Sequence, residues 1–420
     1  MSGRIRSNEK ERTTVNMTID VTVKKALFSG LIFSVLLLTA CGGGPAGDGD
    51  GKPAVRGVSD TEIVLGSFTD LSGPTALLGV GATNGARMRF DEANAAGGVH
   101  GRQIRLVVED TGYQVPKSIQ AANKLLQRDN VFAMVLALGT PMNNAIMPTL
   151  FEAGVPNLFP FSGARSMVEP FKPLQFTGRG IYYDEIRAAA RYFLEEKGAT
   201  TPCVLYQDTD YGQEILEGAE DQLQAMGKEP AEVSSHKPTE TEFTSAVLKL
   251  QGAGCDLVLM GTVHRDTILV LETARKMDWT DVTWVGTNAA YNEAVAKQES
   301  GAAEGYSVFA HMARPYRDGE LDEAVADWWD RYEELYGIEP EYAAMEGYRN
   351  ADVVIRALDA AGPDLTAEKL IAAIEAMVEY TDPFGYRMTF GADDHKGVDE
   401  SVLLTVVDGR WQVQAEKIQY

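Results

Sequence analysis

The stretch Ile63-Val-Leu-Gly-Ser-Phe-Thr-Asp-Leu-Ser-Gly73 joins an apolar run to a polar turn that ends in glycine. The apolar run predicts a β-strand over 63–68, and the spacing of small and apolar side chains after the turn predicts a helix over 82–95. A strand without polar alternation is typical of a parallel sheet that helices cover on both faces. This opening therefore indicates an α/β fold.

The same alternation of short apolar runs and helical stretches continues along the chain and then restarts. The further predicted strands cover 104–108, 131–136 and 155–158 in a first unit and 203–206, 231–235, 256–260 and 282–285 in a second. Buried strands separated by helices predict two doubly wound, Rossmann-like units in series, with the second beginning near residue 182.

The C-terminal part has a different pattern. Long helices are predicted over 321–336, 345–361 and 367–378, followed by strands over 402–407 and 411–413. Asp408-Gly409 separates these two strands, and an Asp-Gly pair between strands predicts a tight hairpin turn. Periodicity alone does not assign this part to either unit.

Two polar loops occupy equivalent places in the two units. Residues 67–73 and 207–212 each put an Asp/Gly turn between a strand and a helix. In open α/β sheets, ligands bind beyond the carboxyl ends of the strands, where such loops lie. If the two units face each other, we expect both loops to line one shared cleft.

Length and charge restrict the class of protein. The chain has 420 residues and is 45% hydrophobic, which is long for a single core. It carries 61 acidic against 38 basic residues, a formal net charge of −23, which disfavours nucleic acid as a partner. The three cysteines and five histidines lack the spacing of metal ligands, so no metal site is expected.

The N-terminus has the features of an export signal. Lys24-Lys25 precede an apolar run of 13 residues over 26–38, too short for a bilayer core that needs about 20 residues. Leu38-Thr-Ala-Cys41 resembles a bacterial lipobox, which implies cleavage of a signal over 1–40 and a lipid anchor on Cys41. An ordinary signal followed by an incidental cysteine is the alternative, and Met17 is a possible true start.

A glycine-rich segment follows the predicted cleavage site. Residues 42–53 contain no side chain that would build a core, which predicts a tether over 41–57 and a folded part from about Val58. The anchor would then hold an exported protein at the membrane, facing the periplasm or the cell exterior.

Enzymatic function is not expected. The sequence has no nucleophile elbow, zinc-protease motif or phosphate-binding lysine loop. The segment Gly79-Val-Gly-Ala-Thr-Asn-Gly85 has the spacing G-x-G-x-x-x-G, so it does not fit a dinucleotide fingerprint, although a nicotinamide-dependent enzyme stays as an alternative. We therefore predict a binding protein without a cofactor.

Four segments together resemble the branched-chain amino-acid (leucine/isoleucine/valine) type of periplasmic binding proteins. They are Ile63–Thr75 with Asn84-Gly-Ala86, Asp91–Gly101, Asp208-Thr-Asp-Tyr-Gly212 and Gly301-Ala-Ala-Glu-Gly305. The resemblance implies a periplasmic-binding-protein type I fold, acting as the monomeric substrate-binding lipoprotein of an ABC importer that docks on its permease subunits. It implies capture of a small molecule by hinge closure between two lobes.

The resemblance also implies that the chain crosses between the lobes three times, near Tyr182, His311–Arg314 and Met388. The first lobe would contain 58–181 and 314–388, and the second lobe 182–311 and 389–420. This division would place the C-terminal helices with the first lobe.

The resemblance further implies which residues hold a ligand carboxylate. These are the hydroxyl of Thr140, next to Leu138, and the loop of Phe161, Ser162 and Gly163. Helix N-termini at these loops would suit an anion, because their N–H groups have no partner within the helix. As an alternative, Thr140 and Ser162 cap helices.

The second lobe would close over the ligand. Tyr211 falls at the aromatic position that does so in the family, and Tyr182 and Tyr183 at the first crossing are further candidates for the cleft. His264 follows a predicted strand and faces either the cleft or solvent.

One position departs from the family. Asn288 stands where the amino-acid binders place a glutamate against the ligand's ammonium group, and an amide carries no negative charge. Leu78 and Val263 occupy places where aromatic residues pack in those binders. We therefore expect a carboxylate or amide ligand without an ammonium group. A branched-chain amino-acid binder despite Asn288, and a sensory lipoprotein of the same fold, are the alternatives.

Cys203 and Cys255 begin two strands that are expected to be neighbours in the second lobe. Export permits a disulfide, but burial at strand starts favours two free thiols.

Overall fold

The structure is a computed structural model, and it describes residues 54–419. The predicted signal over 1–40, the lipid-bearing Cys41 and most of the tether lie outside the described residues.

The last residues of the predicted tether belong to the fold. Arg56 donates from Nη1 to the carbonyl of Leu126 over 2.6 Å. The N–H of Val64, in the first strand, donates to the carbonyl of Gly57 over 2.8 Å. The ordered part of the first lobe therefore begins before Val58, contrary to the predicted boundary.

The first lobe is built on a parallel sheet of five strands. Its strands are β1 (Glu62–Thr69), β2 (Gln103–Asp110), β3 (Ala133–Val135), β4 (Asn157–Leu158) and β5 (Gln175–Phe176). The connecting helices are α1 (Ala76–Ala95), α2 (Val115–Gln127) and α3 (Thr140–Glu152). The strand order is β2-β1-β3-β4-β5.

The second lobe repeats this arrangement. Its strands are β6 (Pro202–Gln207), β7 (Val233–His236), β8 (Leu257–Gly261), β9 (Thr283–Thr287) and β10 (Ser307–Ala310). Its helices are α4 (Tyr182–Glu195), α5 (Asp210–Ala225), α6 (Thr244–Gly252), α7 (His264–Lys276) and the short α8 (Glu293–Ala296). The order β7-β6-β8-β9-β10 is again parallel, which confirms the two doubly wound units.

The C-terminal part is shared between the lobes. It contains α9 (Glu323–Tyr336), α10 (Tyr342–Ala361), α11 (Ala367–Glu375), β11 (Tyr380–Thr381), β12 (Arg387–Met388), β13 (Glu400–Val407) and β14 (Arg410–Gln419). α10 packs along α1 in the first lobe, and β13 extends the second sheet antiparallel to β10. Asp408 and Gly409 join β13 to β14 with φ angles of 52° and 71°, which confirms the predicted hairpin turn.

The third crossing lies later in the chain than predicted. Phe390 packs against Phe159 and Phe176 of the first lobe, with ring centroids 5.9 Å apart in both pairs. The N–H of Gly397 donates to the carbonyl of Thr177 over 2.9 Å. The chain therefore stays with the first lobe past Met388 and enters the second sheet only at β13.

The glycines of α1 serve helix packing. A Cβ on Gly85 would lie 1.9 Å from the carbonyl oxygen of Ala344 in α10, and one on Gly347 would lie 2.1 Å from that of Ala82. The segment over 79–85 is thus the interior of a helix pressed against another helix. This position excludes it as a phosphate-binding loop and explains why α1 begins at Ala76, before the predicted start.

Cys203 and Cys255 form a disulfide, with Cα atoms 5.9 Å apart and a sequence separation of 52. The prediction of two free thiols is therefore wrong. The neighbouring strands β6 and β8 bring the two Cα atoms to a distance that a disulfide spans, and the two side chains point at each other rather than into separate parts of the core.

Within residues 54–419, no helix is both long and apolar enough to cross a bilayer.

Candidate functional site

A cleft between the lobes lies beyond the carboxyl ends of both parallel sheets. In each lobe the chain reverses its direction of winding between the first and third strands, β1 and β3 or β6 and β8. Ligands bind at such switch points in open α/β sheets. The residues that line the cleft lie in loops after strands or in the first turns of the helices that follow, and they are Thr75, Leu78, Tyr113, Leu138, Gly139, Thr140, Phe161, Arg179, Tyr182, Tyr211, Val263 and Ala289.

The lobes stand close together across this cleft. The space between them is a cavity of about 20 Å³, roughly the room of one water molecule. Asn144 of α3 donates from Nδ2 to Oδ2 of Asp210 in α5 over 2.7 Å, and Arg165 donates from Nε to Glu214 over 3.0 Å. Because a molecule of any size enters only when these walls separate, the cleft requires opening of the lobes.

A larger cavity, of about 470 Å³, lies at the hinge. It is lined by residues of the second and third crossings and of β12, among them His311, Arg387, Asp399 and Ser401. None of the residues predicted to hold a ligand lines it. The cleft is therefore the candidate site.

Thr140 lines the cleft, whereas Ser162 is not among the lining residues and lies next to Thr140. Their hydroxyl oxygens are 2.8 Å apart and both residues are buried. α3 begins at Thr140 without a side-chain cap, so neither hydroxyl caps this helix. Instead, Ser162 accepts a hydrogen bond from the N–H of Ala164 over 3.3 Å. The pair presents hydroxyls where the N–H groups of the first turn of α3 have no partner within the helix.

The predicted amide donors of the neighbouring loop are mostly used within the protein. The N–H groups of Phe161 and Ser162 donate to the carbonyls of Ala137 and Pro160, each over 2.8 Å. Gly163 lies against Tyr182, whose N–H donates to its carbonyl over 2.8 Å. The loop therefore contributes the ring of Phe161 to the cleft wall and the hydroxyl of Ser162 next to Thr140, rather than a row of amides.

Apolar side chains form the rest of the walls. Leu78, Leu138 and Phe161 come from the first lobe and Val263 from the second, and all four are nearly fully buried. These side chains give a ligand apolar contact without a hydrogen-bonding group.

Two tyrosines meet at the centre of the cleft. The rings of Tyr182 and Tyr211 pack edge to face with centroids 4.9 Å apart, and the hydroxyl of Tyr211 donates to the carbonyl of Thr262 over 3.2 Å. Tyr183, in contrast, lies outside the cleft, because its hydroxyl donates to Asp221 over 2.6 Å and Arg165 covers its ring. Of the two adjacent tyrosines, Tyr182 is the one that lines the site.

His264 is buried at the start of α7, beside the cleft residue Val263. Burial lowers its pKa to about 4, although the nearby carboxylate of Asp70 acts in the opposite direction. Its Nδ1 has no hydrogen-bond partner among the described residues. The side chain is therefore a neutral imidazole near the cleft, and the solvated alternative does not hold.

Asn288 is directed away from the cleft. Its Nδ2 donates to Oε1 of Glu185 over 2.7 Å and to the carbonyl of Gly180 over 3.2 Å, and its N–H donates to Oε2 of Glu185 over 3.0 Å. Burial raises the pKa of Glu185 to about 8, although both bonds from Asn288 lower it. A carboxyl group is thus present behind Asn288, but it is mostly protonated at neutral pH.

Several lining residues were not predicted from the sequence, namely Thr75, Tyr113, Gly139, Ala289 and Arg179, and Arg179 is the charged one among them. It lies in the first crossing, is 1% exposed, and its guanidinium carbon sits 4.0 Å from the ring centroid of Phe161. Its Nε and Nη2 atoms have no hydrogen-bond partner among the described residues. These two atoms form the edge of a guanidinium that holds a carboxylate in a bidentate manner.

One carboxylate approaches Arg179 from behind the cleft. Nε of Arg179 lies 3.2 Å from Oε1 of Glu346 in α10, without the geometry of a hydrogen bond. Burial is the largest influence and lowers the pKa of Arg179, but Glu346 together with the other acidic groups around it raises this pKa above its ordinary value. The cleft therefore contains a permanently charged, buried guanidinium whose Nε and Nη2 groups can still donate hydrogen bonds. Only a short polar stretch, Thr177-Gly-Arg-Gly180, signals it in sequence.

Comparisons with known proteins agree with this architecture. A family model described as "Periplasmic binding protein" matches residues 62–410. The Leu/Ile/Val-binding protein homolog 8 of Brucella abortus is 22% identical over 376 residues, covering 84% of this chain and 88% of the relative.

Two solved structures share the fold. A fatty acid ABC transporter substrate-binding protein from Thermomonospora curvata has a TM-score of 0.79 at 24% identity, covering 88% of this chain and 96% of the other. A solute-binding protein of an ABC transporter from R. palustris, in complex with benzoate, has a TM-score of 0.75 at 18% identity, covering 85% and 97%.

Proposed function

Because the chain belongs to the periplasmic binding protein family, we propose that it is the substrate-binding protein of an ABC importer and captures a small organic carboxylate by closure of its two lobes. Binding of a solute is common to its relatives. We propose in addition that the ligand is a carboxylate, that an ABC importer is the partner, and that a lipid anchors the protein.

The observation that carries the ligand class is the buried guanidinium of Arg179. Glu346 balances the charge of Arg179 at 3.2 Å but makes no hydrogen bond to it, so the Nε and Nη2 donors stay unsatisfied, and burying unsatisfied donors is costly. The hydroxyl of Thr140 lines the same cleft and can donate to a carboxylate oxygen, with the hydroxyl of Ser162 2.8 Å from it. A carboxylate is the small organic anion that fits a guanidinium edge together with hydroxyl donors.

The surroundings of Asn288 disfavour a ligand with an ammonium group. Its Nδ2 and N–H donate to Glu185 and Gly180, and Glu185, with a pKa of about 8, carries little charge at neutral pH. An ammonium group next to Arg179 would also meet a like charge. These features favour a fatty or aromatic acid over a free α-amino acid.

Two structural neighbours are described with such ligands, one as a fatty acid binder and one in complex with benzoate. Other relatives are named as Leu/Ile/Val-binding homologues, so a branched-chain amino acid is the second candidate.

The disulfide supports export. Disulfides persist in oxidising compartments such as the bacterial periplasm, and Cys203–Cys255 is buried in the core of the second lobe.

We propose that the mature protein is held at the membrane by lipid on Cys41. Metabolic labelling with a fatty acid should mark the wild-type protein and leave Cys41→Ala unlabelled, and label on the variant would refute the anchor.

The ligand class is tested by calorimetric titration of the purified protein with benzoate, octanoate, benzamide and leucine. We expect binding of a carboxylate, little binding of the amide and none of leucine. Tight binding of leucine, with no binding of benzoate or octanoate, would overturn the proposal.

Variants locate the binding to Arg179. Arg179→Lys keeps a charge beside Glu346 but loses the bidentate edge, and we expect carboxylate affinity to fall about tenfold or more. Arg128→Lys, at an exposed arginine of the same lobe, is the matched control and should bind as the wild type does.

Reconstitution of the protein with an importer in vesicles distinguishes a role in transport from a role in sensing. Stimulation of an importer's ATPase activity by the liganded protein in vesicles supports transport. Binding without stimulation of any co-encoded importer would favour a sensor.

A further inference from the structure

A group of buried charges surrounds Arg179 on the side of Glu346. Glu346 is fully buried, and neither of its carboxylate oxygens has a hydrogen-bond partner among the described residues. Its nearest cation is Arg179, at 3.2 Å. The charges of Arg179 and Arg349 and the nearby hydroxyl of Tyr342 favour its ionised form.

We propose that Glu346 is the positioning residue and counter-ion of Arg179, and that it takes up a proton from solvent when a ligand carboxylate binds Arg179. This inference rests on the proposed carboxylate ligand. The proton adds to one oxygen of Glu346, and the ligand carboxylate then replaces Glu346 as the anion that balances Arg179.

The charges around Glu346 support this exchange. Arg349 of the same helix faces Glu346 and also approaches Asp382, with Nη1 and Oδ2 3.7 Å apart. The positive charges of Arg179 and Arg349 thus face the negative charges of Glu346 and Asp382. This cluster of four side chains has no net charge when both carboxylates are ionised. A ligand carboxylate would add one uncompensated negative charge to a region of low dielectric, which a proton removes.

The other titratable groups near Glu346 do not accept that proton. His311 lies 3.9 Å from Oε2 of Glu346, but burial, Arg349 and Arg179 hold its pKa well below the ordinary value. Glu185, with a pKa of about 8, is already mostly protonated at neutral pH. Tyr182 and Tyr342 are buried phenols with raised pKa values and stay neutral.

Glu346 itself is prepared for protonation. Burial raises its pKa, while Arg179 and Arg349 act to lower it. When the ligand's charge offsets that of Arg179, the main effect that keeps Glu346 ionised is weakened and its pKa rises further. By linkage, protons are then taken up on binding, and affinity increases as pH falls through this range.

The position of Arg179 would connect the exchange to lobe closure. Its neighbours Gly178 and Gly180 are held at their backbones by Arg349, whose Nη2 donates to the carbonyl of Gly178, and by Nδ1 of His311, which accepts from the N–H of Gly180 over 3.3 Å. The ligand would therefore contact the crossing segment itself, and not only the two lobes on either side of it.

The test is calorimetric titration with acetate, benzoate and octanoate in buffers of different ionisation enthalpy, from about pH 5 to about pH 7, where Glu185 stays mostly protonated. The dependence of the observed enthalpy on the buffer gives the number of protons taken up per ligand. We expect uptake that approaches one proton in wild type and an affinity that falls about tenfold per pH unit over the same range. Glu346→Gln should show no uptake and a flat pH profile.

Two controls isolate Glu346. Asp352→Asn removes another buried carboxylate of α10, paired with Arg89 over 2.8 Å, and should leave proton uptake unchanged. Glu185→Gln should also leave the uptake at neutral pH unchanged. If Glu346→Gln does not fold, Glu346→Asp keeps the carboxylate, and we expect the pH of maximal uptake to shift.

The outcomes are distinguishable. Binding of a carboxylate by wild type without proton uptake, or uptake that survives in Glu346→Gln or keeps its pH maximum in Glu346→Asp, overturns this inference and leaves the proposed function intact. Failure of all three carboxylates to bind overturns both.

Discussion

Asn144 of the first lobe and Asp210 of the second lobe are joined by a hydrogen bond of 2.7 Å from Nδ2 to Oδ2. The bond connects α3 and α5, the two helices whose first turns supply Thr140 and Tyr211 to the cleft. It forms only when the lobes are close, so it stabilises the closed arrangement without touching a ligand.

Asn144→Ala should weaken ligand affinity about two- to fivefold, because an exposed polar pair is worth roughly 0.2–1 kcal/mol. Small-angle scattering should show a more extended protein in the absence of ligand. Arg317→Ala breaks the exposed pair with Asp330 inside one lobe and is the control, with no change in affinity or dimensions. Equal effects of both variants would contradict a role for Asn144 in closure.

Thr140→Ala should weaken carboxylate binding by about 1–3 kcal/mol, since it removes a buried hydroxyl and leaves Ser162 without its partner at 2.8 Å. Thr140→Ser keeps the hydroxyl and should bind nearly as the wild type does. Dissociation constants from calorimetry decide the matter, and an unchanged value for Thr140→Ala would refute its role in the site.

Glu185 should make the protein less stable as pH rises. Its folded pKa, about 8, lies above the value in the unfolded chain, so the folded state holds a proton that the unfolded state has lost. Between the two pKa values this group lowers the free energy of unfolding by up to about 1.4 kcal/mol per pH unit. Urea unfolding of wild type and Glu185→Gln near pH 5 and pH 8 measures the effect. The variant should gain stability relative to wild type at the higher pH, and a constant difference would contradict the assignment.

Removal of the disulfide should destabilise the second lobe. Cys203 and Cys255 are separated by 52 positions in sequence, and a disulfide loop of that size corresponds to about 2–4 kcal/mol. Denaturant unfolding of Cys203→Ala/Cys255→Ala, compared with wild type under oxidising and reducing conditions, gives the value. We expect the variant to lose its sensitivity to reductant. Unchanged stability of the variant would show that the bond does not contribute.

The architecture was largely predictable, because it depends on local patterns. Runs such as Ile63–Phe68 and Asp256–Met260 are apolar enough to be buried on both faces, and this requirement leads to parallel sheets. The hairpin at Asp408-Gly409 also depends on local chemistry, since both residues adopt positive φ. The third crossing was misplaced because the contacts of Phe390 with Phe159 and Phe176 join residues far apart in the chain.

The site was predictable where it follows strand ends and unpredictable where it depends on distant partners. Thr140, Tyr211 and Val263 follow strands and line the cleft, as expected from their positions. Arg179 carries no such signal. An arginine in sequence is normally assigned to the surface, and its burial here depends on Phe161 and Glu346, which come from other elements.

The opening stretch Ile63–Gly73 and its repeats were sufficient to establish two α/β lobes with loops meeting at one cleft, because hydrophobic periodicity is a local property of the chain. Tertiary structure alone decided the electrostatics of that cleft. It directed Asn288 to Glu185, paired Cys203 with Cys255 and placed Arg179 beside Glu346. The physical reason is that pairing of buried charges and thiols depends on distances between segments that sequence spacing does not determine.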